Sequence, residues 1–157
     1  MSKQDLLKTA NERWMALAFE QALLAQKLGE VPVGAILVQG EQLIASAHNQ
    51  PIGNNDPTAH AEIQLLRKAG ATLSNYRLPN TTLFVTLEPC AMCLGAMIHA
   101  RVSKVVFGAY DEKTGVCGSC QDLVSSQCFN HSIDTQGGVL ADECKQLLQQ
   151  FFRQRRH

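Results

Sequence analysis

Two short fragments of the chain, His60-Ala61-Glu62 and Pro89-Cys90-Ala91-Met92-Cys93, hold residue types that bind and use a metal ion. A Cys-x-x-Cys pair in the first turn of a helix can bring two sulfurs to one ion. The positive end of the helix dipole favours the thiolate that zinc requires at Cys90. His60 supplies a third ligand through a neutral imidazole nitrogen. Three protein ligands leave the fourth tetrahedral position to water, the pattern of a catalytic rather than a structural zinc site. Bound zinc makes such a water acidic enough to act as hydroxide near neutral pH. Glu62 is then free of the metal. It can take the water proton and deliver protons to a ring nitrogen and a leaving amine.

The spacing constrains the elements that carry these groups. Inside a helix, residues two apart point about 200° from each other, so His60 and Glu62 share a site only if the ion lies off a helix end. Asp56, Pro57 and Thr58 offer N-cap candidates and a first-turn proline, which places a helix start there. Pro89 does the same for a helix predicted over 90–100. Two helix N-termini would therefore meet at the metal. Alone, His-x-Glu is a weak signal, and Cys-x-x-Cys also fits a redox pair or half of a structural zinc site. Together and in this order they match the H-x-E…P-C-x-x-C signature already known for zinc deaminases of nucleobases, a class that includes the tRNA adenosine deaminases.

The rest of the chain supplies a scaffold. Trp14, Leu17, Ala18, Leu24, Ala25 and Leu28 recur at helical spacing, predicting an amphipathic helix over 11–28 that Gly29 stops. Apolar runs at 34–38 and 43–47 flank Gly40-Glu41 and predict a β-hairpin. After a polar loop over 48–58 comes a helix over 59–69 ended by Gly70, then a strand over 82–87. A strand over 104–109 and a possible one over 131–135 precede a C-terminal helix marked by Leu140, Cys144, Leu147, Leu148, Phe151 and Phe152. Helices separated by single strands imply crossovers and a mixed sheet with helices on its faces. Strand order is not fixed by this pattern.

Composition narrows the class. The chain has 157 residues, suiting one domain over 1–157, with 45% hydrophobic and 18% charged residues. No apolar run reaches the roughly 20 residues of a membrane helix, and residues 1–11 lack a signal-peptide core. A cytoplasmic location is expected, without membrane partners, and there six cysteines read as ligands or core residues rather than as disulfides. Net charge is zero, which argues against a generally cationic protein but leaves room for a local nucleic-acid site. The last five residues, 153–157, contain three arginines and no acid.

Along nearly its whole length the sequence resembles the bacterial tRNA-specific adenosine deaminases, which convert the anticodon wobble adenosine to inosine. The resemblance rests on Glu30-Val31-Pro32-Val33-Gly34-Ala35, Asn49-Gln50-Pro51-Ile52-Gly53, the stretch from Asp56 to Glu62 and Asn75-Tyr76-Arg77-Leu78. It continues in Thr86-Leu87-Glu88-Pro89-Cys90, Gly95-Ala96-Met97-Ile98-His99, Val105-Val106-Phe107-Gly108-Ala109 and the tail from Phe151 to Arg156. It implies an α/β fold of the cytidine-deaminase-like type, a three-layer α/β/α sandwich with a five-stranded mixed sheet. It also implies one zinc (Zn2+) per subunit, a homodimer with active sites near the interface, and a tRNA anticodon stem-loop as partner. By the same resemblance Asn49 hydrogen-bonds the flipped purine, where its residue type alone equally suits capping the loop with its side chain, and Ala61 offers its backbone N–H to the reacting edge. Val31 and Leu87 line the pocket, and Asp111 lies beside the sugar.

Phe151, Phe152, Arg153, Arg155 and Arg156 are candidates for stacking on the RNA and contacting its backbone. The same phenylalanines continue the core stripe of the last helix, and arginines at a helix C-terminus complement its dipole. One departure stands out: Cys117-Gly118-Ser119-Cys120 is a second Cys-x-x-Cys, with Cys128 and His131 downstream, open to a second metal, a redox pair or plain loop thiols. A ligand from this loop that closed the zinc site would remove its catalytic role. Cys144, Met92 and Met97 are expected to pack in the interior. Two other functions share parts of the pattern. A deaminase of a free base or nucleotide, of guanine or deoxycytidylate type, would have no use for the basic tail. A zinc-stabilised RNA-binding module would have no use for Glu62.

Overall fold

The structure, a computed structural model, describes residues 2–126 and 128–155; Arg156 lies outside them. The chain opens with α1 (Lys3–Lys27), eight residues earlier than the apolar periodicity indicates. The reason is a capping box: Ser2 accepts from the Asp5 N–H while the Asp5 carboxylate accepts from the Ser2 N–H. Gly29, at φ 77°, ends the run in the left-handed region as expected.

The hairpin forms from β1 (Gly34–Gln39) and β2 (Gln42–His48), with Gly40 at φ 63° in the turn. The polar loop that follows is not wholly irregular, because Pro51 starts the short helix α2 (Pro51–Asn54). Then α3 (Ala61–Leu73) leads into β3 (Thr81–Leu87), and α4 (Ala91–His99) into β4 (Lys104–Ala109). Gly70 lies inside α3 rather than after it; the helix ends at Ser74, which takes the left-handed conformation at φ 51°. A short β5 (Asp134–Gln136) precedes α5 (Ala141–Arg155).

The sheet has five strands in the order β2-β1-β3-β4-β5. The first two pairings are antiparallel and the last two parallel, so the sheet is mixed. One face carries Ile36, Val38, Phe84 and Val106 against Met15 and Ala18 of α1. Alternate residues of the same strands, Ala35, Leu37, Leu83, Val85, Val105 and Phe107, point the other way, onto Leu65 and Ala69 of α3 and Leu94 and Met97 of α4. Cys144 of α5 packs at Gly108 beside α1's face, giving three layers. Cys144 and Met97 are core residues as anticipated, whereas Met92 sits on the outer side of α4 and is exposed. Among the described residues no helix is long and apolar enough to cross a membrane.

Candidate active site

His60 is the N-cap of α3, with an extended backbone (φ −65°, ψ 155°), and Glu62 is the second helical residue. The terminus therefore falls at His60 itself, while Asp56 closes the preceding turn by accepting from the N–H and hydroxyl of Thr58. Leaving the helix at position 60 removes the angular conflict between His60 and Glu62. The second fragment repeats the construction. Cys90 is the extended N-cap of α4 (φ −83°, ψ 175°), and Cys93 is its third residue. Pro89 thus precedes the cap instead of occupying the first turn, where it disfavours helical backbone at Glu88 and so keeps the helix from starting earlier.

The two helix starts bring the three ligands together. His60 Nδ1 lies 3.7 Å from Cys90 Sγ and 3.5 Å from Cys93 Sγ, and the three ligand atoms all fall within 4.8 Å of one another. Zinc bonds of about 2.1 Å to nitrogen and 2.3 Å to sulfur at tetrahedral angles set N and S roughly 3.6 Å apart, so this donor set fits zinc. Electrostatics agree. The hydrogen bond from Cys93, with a further one from His60, pulls the Cys90 thiol down to about 4, which favours its thiolate. Donating to Cys90, together with burial, pushes the Cys93 thiol up. The hydrogen bond to Cys90 also raises His60.

Glu62 is 4% exposed, and burial pushes its carboxyl up to about 7. It opens onto a pocket of about 250 Å³ that also gathers Val31, Asn49, Leu87 and Asp111 around His60 and Cys90. Asn49 Oδ1 accepts from the Ala61 N–H at 2.7 Å and so satisfies the first free donor of α3. The Ala61 N–H assigned by resemblance to the base is therefore engaged by Asn49, and Ala61 itself is fully buried.

The tail divides. Phe151 is 6% exposed and belongs to the interior, where Arg155 lies over its ring at 4.6 Å and donates to the Gly29 carbonyl. This corrects the expectation of an RNA-stacking Phe151: its ring packs inward while Phe152, 47% exposed, faces out. Arg155, likewise expected on the RNA backbone, is tied to Phe151 and Gly29 at the edge of a cavity beside Val31 and Asn49. Arg153 joins Tyr110, Lys113, Lys145 and Phe152 along a groove of about 610 Å³. A neighbouring cavity shares Val31, Leu87 and Asp111 with the pocket and Phe152 with that groove, linking the two.

Two buried acids escaped the sequence reading. Glu30 accepts from the N–H groups of Ile52 and Gly53, fixing the start of α2, and Glu88 lines the pocket. Both stand in motifs that carry the resemblance, but their partners are backbone amides, which leave no trace in residue type. Among the described residues the only metal-competent group is His60, Cys90 and Cys93. Cys117 is half-buried, Cys120 and Cys128 are exposed, and none closes the site.

Comparison with known proteins gives one family. The chain matches the MafB19-like deaminases over residues 9–156. It is 48% identical to a tRNA-specific adenosine deaminase of Haemophilus influenzae, across 93% of this chain and 85% of that protein. The enzyme of the same name from Bacillus subtilis is 44% identical, across 94% and 92%. A solved structure from studies of A-to-I editing by tRNA:A34 deaminases at the wobble position of transfer RNA superposes with a TM-score of 0.84 at 39% identity, covering 87% of this chain and 99% of that one. A guanine deaminase from Nitrosomonas europaea, at 24% identity and a TM-score of 0.77, shares the fold over 89% of this chain and 83% of its own. With its two helix starts converging on one histidine and two cysteines, the chain belongs to the MafB19-like deaminases and, among them, to the tRNA-specific adenosine deaminases.

Proposed function

We propose that this protein hydrolyses the exocyclic amine of an unpaired adenosine at the wobble position of a tRNA anticodon, leaving inosine and releasing ammonia. The observation that carries the reading is the buried Glu62 carboxyl beside the His60, Cys90 and Cys93 cluster at the floor of a base-sized pocket. His60, Cys90 and Cys93 would hold a zinc ion, which would supply the chemistry of acidifying a water toward neutrality. Glu62, whose carboxyl burial pushes up to about 7, would accept the water proton and hand protons to the ring nitrogen and the departing amine. Val31 and Leu87 form apolar walls for the ring. Asn49, its oxygen committed to Ala61, offers a base only its amide N–H groups, which suits an acceptor on the purine edge. Asp111 lines the same pocket, and we assign it to the nucleotide's sugar.

An RNA substrate is supported by the groove beyond the pocket, where Lys113, Lys145 and Arg153 can meet phosphates and exposed Phe152 and Tyr110 can stack on bases. A second copy of the chain, implied by the resemblance, has a candidate seat in the shallow groove between α3 and α4. The decisive test is conversion of adenosine to inosine in a synthetic anticodon arm, run beside guanine and deoxycytidylate with purified, zinc-quantified protein. Conversion confined to the wobble adenosine is the expected result. Turnover of the free base or nucleotide alone would replace this reading with that of a free-base deaminase.

A further inference from the structure

Glu88 lies two residues before a metal ligand, is 2% exposed and has no role in the chemistry above. Among the described residues the one ion pair is Arg67 with Asp56, on the surface, so no lysine or arginine balances Glu88. Backbone does so instead. Glu88 Oε1 accepts from the Asp111 N–H at 3.0 Å, and Oε2 from the N–H groups of Cys117 at 2.9 Å and Ser119 at 3.2 Å. The Ser119 hydroxyl donates to Oε1 as well. All these donors come from one loop, which curls around the carboxylate as amide nests curl around anions. The loop is shaped for this purpose. A Cβ at Gly115 would lie 2.4 Å from Glu88 Cδ and 2.5 Å from the Asp111 carbonyl, so only glycine fits. Glu88 also donates its own N–H to Ala109 at 2.8 Å, and Val116 donates to Pro89 at 3.0 Å.

The two sides joined by this carboxylate are the two sides of the pocket. Leu87 and Cys90 flank Glu88 on the segment that starts α4, while Asp111 and Thr114 of the loop form the facing wall. We propose that Glu88 is a positioning residue: its carboxylate holds the Asp111–Thr114 wall at the separation from the ligand helix that the reacting nucleotide requires, and so sets substrate affinity without touching the reacting atoms. The proposal rests on the deaminase reading above.

The experiment compares wild type, Glu88→Gln, Ser119→Ala, Asp111→Ala and the Glu88→Gln/Asp111→Ala pair, each with zinc content, kcat and KM on the anticodon arm. Because the wall binds nucleotide rather than moving protons, Glu88→Gln is expected to raise KM about tenfold with kcat within about threefold of wild type. Zinc content should stay unchanged. Ser119→Ala, which removes one donor and spares the fold, is expected to raise KM about threefold. The double variant is expected to lie within about twofold of Asp111→Ala alone, since both changes undo the same wall. Wild-type KM in Glu88→Gln, full additivity in the pair, or a kcat loss at unchanged KM would each overturn the proposal. Amide hydrogen exchange reads the positioning without any substrate. Protection at Asp111, Cys117 and Ser119 is expected to drop about tenfold in Glu88→Gln while β3 and β4 stay protected; unchanged loop protection overturns the proposal too. If wild type fails on the arm yet the loop amides respond, it is the substrate that has been misread and not the role of Glu88.

Discussion

Burial at Glu62 costs the carboxylate its hydration, and that cost is what moves its proton affinity into the range a proton carrier needs. Glu62→Gln keeps the shape and the hydrogen-bonding reach but not the proton. We expect turnover to fall by about 10²–10⁴ while zinc per chain, measured by atomic absorption, remains at the wild-type level. Loss of zinc in this variant would mean that Glu62 acts on the metal instead. Asn49→Ala leaves the Ala61 N–H without its acceptor, so about 1 kcal/mol of stability should disappear in urea unfolding, together with a rise in KM. At this scale the sequence was most informative where chemistry is compressed into a short spacing: His60, Glu62, Cys90 and Cys93 declare themselves. For Asn49 a capping use of the side chain is legible in the residue type, but the Ala61 N–H as its partner is not, because a backbone amide leaves no trace there. Glu88 shows no use at all, for the same reason.

Helices and strands were legible where apolar periodicity is strong and less so at their ends. The start of α1 depends on a polar capping box upstream of any core residue, and the end of α3 depends on Ser74 turning left-handed rather than on Gly70. At Gly34, by contrast, packing explains the residue. A Cβ there would lie 2.1 Å from the Ala18 carbonyl and 2.4 Å from the Ala22 nitrogen, backbone atoms of α1 that have no rotamer to escape into. Gly34→Ala should therefore lift α1 from the sheet and cost about 3 kcal/mol by denaturant titration. In α5 the two arginines separate by role. Arg153→Ala is expected to reduce the slope of log affinity against log salt for the anticodon arm by about one. Arg155→Ala should leave that slope nearly unchanged and lower the melting temperature instead, because its guanidinium is spent on Phe151 and Gly29.

On the scale of the whole molecule, the mixed sheet and its helical cover follow from single strands separated by helices, but the order β2-β1-β3-β4-β5 does not. Pairing of Ala35 with Val85 inserts β3 beside the hairpin across the connection that carries α2 and α3, and nothing local announces it. That order is what sets the starts of α3 and α4 side by side. A zinc ion held there would tie together two helix starts whose helices already pack on each other and on the sheet. Stripping it with a chelator should lower thermal stability as well as end turnover, and free zinc at about 100 times its dissociation constant should restore about 2.7 kcal/mol. The same geometry has a chronological side. The hairpin can close soon after it is made, but the histidine waits for two cysteines that follow it by thirty residues or more and reach it only once β3 has found its place. Metal capture is thus expected to follow the pairing of β3 with β1, and in refolding its uptake should trail the appearance of sheet structure. A chain that has taken up such an ion would thereby report that β3 has joined the hairpin.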